Sequence, residues 1–253
     1  MSRPVALVTG ASRGIGRGIA LALAAAGHDV VVNYASNVEA ATEVGRDVVA
    51  AGGRAVLCRA DIASGADRQR LVDEAYAAFG RLDLLVNNAG RFLRKPTEEC
   101  TDEDFDVLMA VNVRGAFSHA RESLAALAAT KGSIVNLASI SGLVGQPNQT
   151  VYSMTKGALV QLTRQLAVEH AHRGIRVNAV APGAVDTDFV ARARDAAADP
   201  DPAASRARAI SNHPIGRILT AGEIAEAIVF LASDAASGIT GTILSVDGGF
   251  TAH

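Results

Sequence analysis

Val5-Ala6-Leu7-Val8-Thr9-Gly10-Ala11-Ser12-Arg13-Gly14-Ile15-Gly16 joins an apolar run to a turn of small residues and then to a segment with helical spacing. Consecutive apolar residues, rather than an alternation, predict a strand covered on both faces. Ile15, Ile19 and Leu23 recur every four residues, which predicts a helix opening at the last glycines. Small residues let the backbone turn tightly and approach a ligand closely. The helix N-terminus behind them offers free N–H groups and a partial positive charge. Glycine-rich turns also serve ordinary loops; the strand–turn–helix context is what points to a pyrophosphate cradle. Gly10, Ser12, Arg13, Gly14, Ile15 and Gly16 are its candidate residues. Their spacing, Gly-x-x-x-Gly-x-Gly, differs from the commoner Gly-x-Gly-x-x-Gly.

The same alternation continues along the chain. Apolar runs at Val5–Thr9, Val30–Tyr34, Arg54–Cys58, Leu82–Asn87, Ser133–Ala138, Arg176–Ala181 and Thr242–Val246 are separated by Ala/Leu-rich segments of helical spacing. Seven strands alternating with helices predict an α/β fold, a doubly wound parallel sheet with helices on both faces. Gly27, Gly53, Gly80 and Gly174 follow helical stretches, where a C-terminal cap is wanted. No linker or internal repeat divides the 253 residues, so a single domain spans 1–253. Ala191–Arg208 stands apart as an Ala-, Arg- and Asp-rich stretch around Asp199-Pro200-Asp201-Pro202. Residues 188–215 are therefore the expected substrate lid.

Composition removes several classes of function. Hydrophobic residues make up 49% and charged residues 20%, enough for a sizeable core. A net charge of −2 gives no footprint for nucleic acid. The long uncharged stretch Gly132–Thr155 is broken by Gly, Ser, Asn, Gln and Pro147, so no membrane span is expected. Met1-Ser2-Arg3-Pro4 leads straight into a short apolar run, unlike a signal peptide. Two distant cysteines, Cys58 and Cys100, suggest a reducing, cytoplasmic location and no disulfide. His170 and His172 do not share a helix face, and no metal site is expected.

The second strand identifies the dinucleotide. An acidic residue at its end would bond the ribose 2′-hydroxyl of NAD. Here the strand ends Asn33-Tyr34-Ala35-Ser36, without a carboxylate. Arg13 and Ser36 are available for a 2′-phosphate, which a guanidinium suits. The expected cofactor is NADP(H), with Asn33, Tyr34 and Ser36 near its adenosine half.

Tyr152 and Lys156 lie four residues apart at the start of a predicted helix and so share a face. An ammonium about 4 Å from a phenol favours the phenolate by about 4 kcal/mol at partial screening. That is enough to bring the phenol, ordinarily near 10, toward working pH, where acid/base catalysis is efficient. Such a pair alone is weak evidence. It is joined by Ser139 at the end of an apolar strand, where open α/β sheets bind ligands and a hydroxyl would steady a substrate oxygen. Asn87-Asn88-Ala89-Gly90 ends another strand at the same edge, and Asn112 is a polar residue within the helical run Val111-Asn112-Val113.

Together these motifs, with Pro182-Gly183, resemble the classical short-chain dehydrogenases/reductases over nearly the whole chain. The resemblance implies a single Rossmann domain and a role for each matching residue. Tyr152 would exchange the proton, Lys156 would lower its pKa and hold the nicotinamide ribose, and Ser139 would orient the carbonyl. Asn112 would hold a water in a proton relay. Asp61 and Ile62 would contact the adenine; Asn88, Ala89 and Gly90 would line the cofactor cleft. Pro182, Gly183, Val185 and Thr187 would sit against the nicotinamide. A homotetramer through the long helices Asn112–Ala128 and Val151–His172 is also implied.

Within that family the chain is most similar to the 3-oxoacyl-(acyl-carrier-protein) reductases, judged from Thr9–Gly16, Asn33–Ser36 and Thr242–Gly249. This implies reduction of a 3-oxoacyl or related ketone, a small molecule or acyl thioester, to an alcohol. Sugar or polyol dehydrogenases share the same features, and a catalytically idle nicotinamide sensor is the further alternative. Carrier docking would need basic residues near the cleft. Arg173 is one, but Ala129-Thr130-Lys131-Gly132 adds only Lys131, which argues against docking. Arg91, Arg94 and Lys95 suit either an anionic substrate or a solvated loop.

Overall fold

The computed structural model describes residues 3–187 and 201–252. Seven strands form one parallel sheet: β1 Val5–Val8, β2 Asp29–Tyr34, β3 Ala55–Arg59, β4 Leu84–Asn87, β5 Ser133–Leu137, β6 Arg176–Pro182 and β7 Ile243–Val246. Their order is β3-β2-β1-β4-β5-β6-β7, so the direction of winding reverses beside β1. Ligands bind at the carboxyl edge of such a switch point. The helices are α1 Gly14–Ala25, α2 Val38–Ala50, α3 Gly65–Phe79, α4 Asp102–Leu108, α5 Ala116–Thr130, α6 Thr150–His170, α7 Pro202–Ser211 and α8 Ala221–Ala232. The expected fold class and strand sequence are found, with shifts of one or two residues at the ends.

Strand alternation divides the core in two. Ala6, Val8, Val30 and Val32 meet Ile19 and Leu23 of α1 and Ile224 and Ile228 of α8. Val5, Leu7 and Val31 face the other way, toward Leu71 of α3, Leu127 of α5 and Leu166 of α6. All are essentially inaccessible to water, which is why the strands read as continuous apolar runs.

Two local expectations change. Gly52 rather than Gly53 takes the positive φ after α2, at +93°. Gly53 is needed for space instead, since a Cβ there would lie 2.8 Å from the His28 carbonyl oxygen. The helical run through Asn112 is not a single α-helix: Met109–Gly115 is a π-helical turn between α4 and α5. The polar segment is partly helical, because α7 occupies Pro202–Ser211 with the Asp201 side chain accepting from the Ala204 N–H. The remainder of the expected lid, residues 188–200, lies outside the described residues.

Candidate active site

The glycine turn is stitched to the neighbouring strand end. Thr9 Oγ1 donates to the Val86 carbonyl at 3.2 Å and accepts from the backbone N–H groups of Asn88 and Ala89, both at 3.0 Å. Asn88 Nδ2 returns bonds to the carbonyls of Thr9 and Gly10 at 2.7 and 3.1 Å. Gly10 and Gly14 have φ of +62° and +55°, the left-handed region glycine favours. A Cβ on Gly16 would collide with the Gly10 carbonyl oxygen.

This surface fits a dinucleotide. No side chain caps the N-terminus of α1, and its first turn holds no acid, so its N–H groups stay open to an anion. Thr187 stands over that end, 3.6 Å from where a Gly14 Cβ would be. Arg13 and Ser36 are exposed. Asn33 is not available to a ligand: its buried side chain accepts from the Gly10 N–H at 3.0 Å and donates to the carbonyls of Cys58 and Ala60. Tyr34 is likewise packed into the core. Both shape the cradle from behind. Arg59, not singled out in the sequence, brings its Nε to the Ala35 carbonyl at 3.3 Å and adds a guanidinium at the end of β2.

Asp61 Oδ1 accepts from the Ala63 N–H, and Ile62 packs against Gly115, where a Cβ would lie 3.0 Å from its Cδ1. Gly90 lies under Asn112, with 3.3 Å between its would-be Cβ and Asn112 Oδ1. Pro182 ends β6, and Gly183 leaves no room for a Cβ beside the buried ring of His213. Val185 pairs with Leu219 and turns into the core, so its side chain is not a cleft residue.

Ser139, Tyr152 and Lys156 meet at the end of β5. Ser139 follows that strand, accepts from the Ser141 N–H at 3.2 Å and hydrogen-bonds the Tyr152 phenol. Lys156 Nζ, fully enclosed, donates to the Leu137 carbonyl at 2.6 Å and stands 5.7 Å from the Tyr152 ring centroid. The expected lowering of the phenol by Lys156 is not found. Burial pushes Tyr152 up to about 12, with Ser139 drawing it partly back, and burial brings Lys156 down to about 8. Desolvation disfavours both charged forms.

Asn112 serves the site through the backbone. Its Oδ1 accepts from the Arg91 N–H at 2.7 Å, and its Nδ2 donates to the Arg91 carbonyl at 2.8 Å and to Thr155 Oγ1 at 3.0 Å. Both amide donors and the Oδ1 of Asn112 are thus engaged within the protein, and the expected water-holding role of its side chain finds no open donor. Sequence reasoning missed three supports. Phe92 stacks edge-on against Tyr152 with centroids 4.8 Å apart. Thr155 links Asn112 to the Tyr152 carbonyl. A buried chain runs from Asn87 to Asn136 to Thr163, each step 2.9 Å, fastening α6 to β4 and β5. Polar residues inside apolar runs signalled the second and third; nothing in the sequence signalled Phe92.

A family model described as enoyl-(acyl carrier protein) reductase matches residues 10–251. The chain belongs to the short-chain dehydrogenase/reductase family. The cis-4-hydroxycyclohexanecarboxylate dehydrogenase of Sinomonas cyclohexanicum is 44% identical over 98% of this chain and 96% of that protein. The 3-oxoacyl-(acyl-carrier-protein) reductase of Staphylococcus aureus is 38% identical over 96% of each. A solved structure of a doubly substituted short-chain dehydrogenase/reductase from Serratia marcescens matches with a TM-score of 0.90 at 38% identity, covering 99% of this chain and 98% of that one. As a short-chain dehydrogenase/reductase, the protein is an oxidoreductase of carbonyl/alcohol groups that uses a nicotinamide cofactor. No helix among the described residues is long and apolar enough to cross a membrane.

Proposed function

We propose that this short-chain dehydrogenase/reductase interconverts a ketone and a secondary alcohol with NADP(H), using Tyr152 as the acid/base group. The observation that carries the reading is the meeting of Tyr152 with Ser139 and Lys156 at the carboxyl edge of the sheet. The cofactor supplies or accepts the hydride. The turn Gly10–Gly16 would hold its pyrophosphate, Asp61 and Ile62 its adenine. Asn88, Ala89, Gly90, Tyr152, Lys156, Pro182, Gly183 and Thr187 would hold the nicotinamide half, Val185 through its backbone. NADP(H) is favoured because exposed Arg13 and Ser36, with Arg59 beside them, offer a 2′-phosphate cations and a hydroxyl and no carboxylate.

In reduction, Ser139 holds the substrate oxygen and the Tyr152 phenol passes its proton to that oxygen. In oxidation the proton returns to Tyr152. Lys156 keeps α6 in register with β5 and supports return of a proton to the Tyr152 phenolate; Asn112 holds the Arg91–Phe92 segment against Tyr152. The protein's contribution is placement and preset dipoles.

Two substrate classes fit. One is a 3-oxoacyl thioester, as named for the Staphylococcus relative. Carrier docking gains little, because Arg173 is bonded to the Leu124 carbonyl at 3.2 Å. The other is a cyclic or polyol secondary alcohol, favoured by the Sinomonas relative, whose named substrate is a ring alcohol. A homotetramer is supported by apolar Phe117 on α5 and Met154 and Val168 on α6, the last 80% exposed; solution mass measures it. Two free cysteines suit a cytoplasmic enzyme. The test of the activity is NADPH oxidation over 3-oxoacyl thioesters, sugars, steroids and simple ketones. Turnover of at least one class is expected; failure across the panel in both directions would reject the reading.

A further inference from the structure

A cavity of about 400 Å³ opens between the loop that leaves β5 and the turn that follows α7. Gln146 and Pro147 line one wall; Ser211, Asn212, Pro214 and Phe250 line the other. Both walls are tied to the reaction centre. Four residues before Gln146, the Ile140–Gly142 turn packs so closely on α6 that a Gly142 Cβ would lie 2.7 Å from the Lys156 carbonyl oxygen. On the other wall, His213 sits between Asn212 and Pro214 with its ring buried. Its Nδ1 donates to the Ala209 carbonyl at 2.6 Å, and its Nε2 accepts from the Ala184 N–H at 3.0 Å. The same ring packs against Phe250 at 5.2 Å. The wall carrying Asn212 is therefore preset against the Pro182–Gly183 end of β6.

The lining has a definite chemistry. No acidic or basic side chain lines the cavity among the described residues. The carboxamides of Gln146 and Asn212 have no hydrogen-bond partner among the described residues, so their donors and acceptors are open. Ser211 donates to the Arg208 carbonyl at 3.1 Å and keeps its lone pairs. Pro147, Pro214 and Phe250 add apolar faces. A carboxamide can both give to and take from a hydroxyl, while proline and phenyl faces suit a ring's carbon surface. An unbranched acyl chain would offer the two amides nothing to hydrogen-bond, and an anion would meet no cation among the described lining residues.

We propose that this cavity is the subsite for the non-reacting part of the substrate and takes a neutral ring bearing hydroxyl groups, with Gln146, Ser211 and Asn212 as specificity-determining residues. The inference rests on the ketone/alcohol reading above and narrows its substrate to polyhydroxylated cyclic compounds.

Calorimetric titration of the enzyme saturated with NADPH, which cannot take a hydride from an alcohol, reads binding without turnover. The probes are inositol, with a hydroxyl on every ring carbon, and cyclohexanol. The wild type is expected to prefer inositol at least tenfold. Gln146→Leu and Asn212→Leu are each expected to reduce that preference about fivefold, the effect of one neutral hydrogen bond, and the double variant to bring it near one. A wild-type preference for cyclohexanol, a parallel loss for both ligands in the variants, or a preference that survives the double variant would overturn the proposal. Lack of turnover with every alcohol and ketone would instead reject the ketone/alcohol reading, and the binding ratio would still judge the subsite.

Discussion

Lys156 Nζ holds the Leu137 carbonyl oxygen at 2.6 Å. This bond fastens the helix carrying Tyr152 to the strand that leads to Ser139, while the ammonium stays 5.7 Å from the phenol ring centroid. Its role is thus structural as well as electrostatic. Tyr152→Phe is expected to lower kcat by about 10²- to 10⁴-fold, the range for a lost acid/base group, with NADPH affinity little changed. Lys156→Met is expected to lower both kcat and NADPH affinity. Steady-state rates and a Kd for NADPH check both.

The phenol, pushed up to about 12 by burial, carries its proton throughout the neutral range. Reduction needs the phenol and oxidation the phenolate. Alcohol oxidation is therefore expected to climb steadily with pH from about 6 to 9, while carbonyl reduction falls as Lys156 loses its charge through about 8. Initial rates in both directions across that range test it; a level oxidation profile would contradict it.

His119 on α5 is wholly buried, with neither ring nitrogen partnered among the described residues, and burial holds it down to about 4. Unfolded, it titrates at its ordinary 6.5. As pH falls through that interval, the unfolded chain takes up the proton first and stability is lost. The loss approaches about 3 kcal/mol by the lower end. His119→Leu is expected to flatten this acid limb, read as the difference in urea midpoint between about pH 7 and 5.

Asn112 uses an acceptor and two donors at once. Asn112→Asp keeps the bond from the Arg91 N–H but turns a carboxylate oxygen toward the Arg91 carbonyl. We expect a loss of about 1–3 kcal/mol, a melting point lower by several degrees, and a reduced kcat as Phe92 loses its seat against Tyr152. Thermal denaturation and kinetics on the same sample check it.

Arg13→Ala is expected to raise the KM for NADPH about tenfold and leave that for NADH nearly unchanged, as when one charge-assisted bond to phosphate is removed. Ser36→Asp is expected to invert the preference, since a carboxylate there repels the phosphate and accepts from the ribose hydroxyl. Paired KM values decide both.

The amino-acid sequence alone determined the layer architecture, the cradle at Gly10–Gly16 and the membership of Ser139, Tyr152 and Lys156 in one site. Each rests on spacing along the chain: apolar runs for buried strands, small residues where the backbone must turn, one helical turn between tyrosine and lysine. Tertiary structure alone decided how the polar groups are used. Asn33 and Asn112 looked like ligand residues and prove to be spent on backbone groups of Gly10 and Arg91, partners 23 and 21 positions away. Tyr152 and Lys156 looked like a pair that lowers the phenol, yet burial dominates both. Desolvation and hydrogen-bond satisfaction depend on what distant segments bring against a side chain, and no local spacing encodes that.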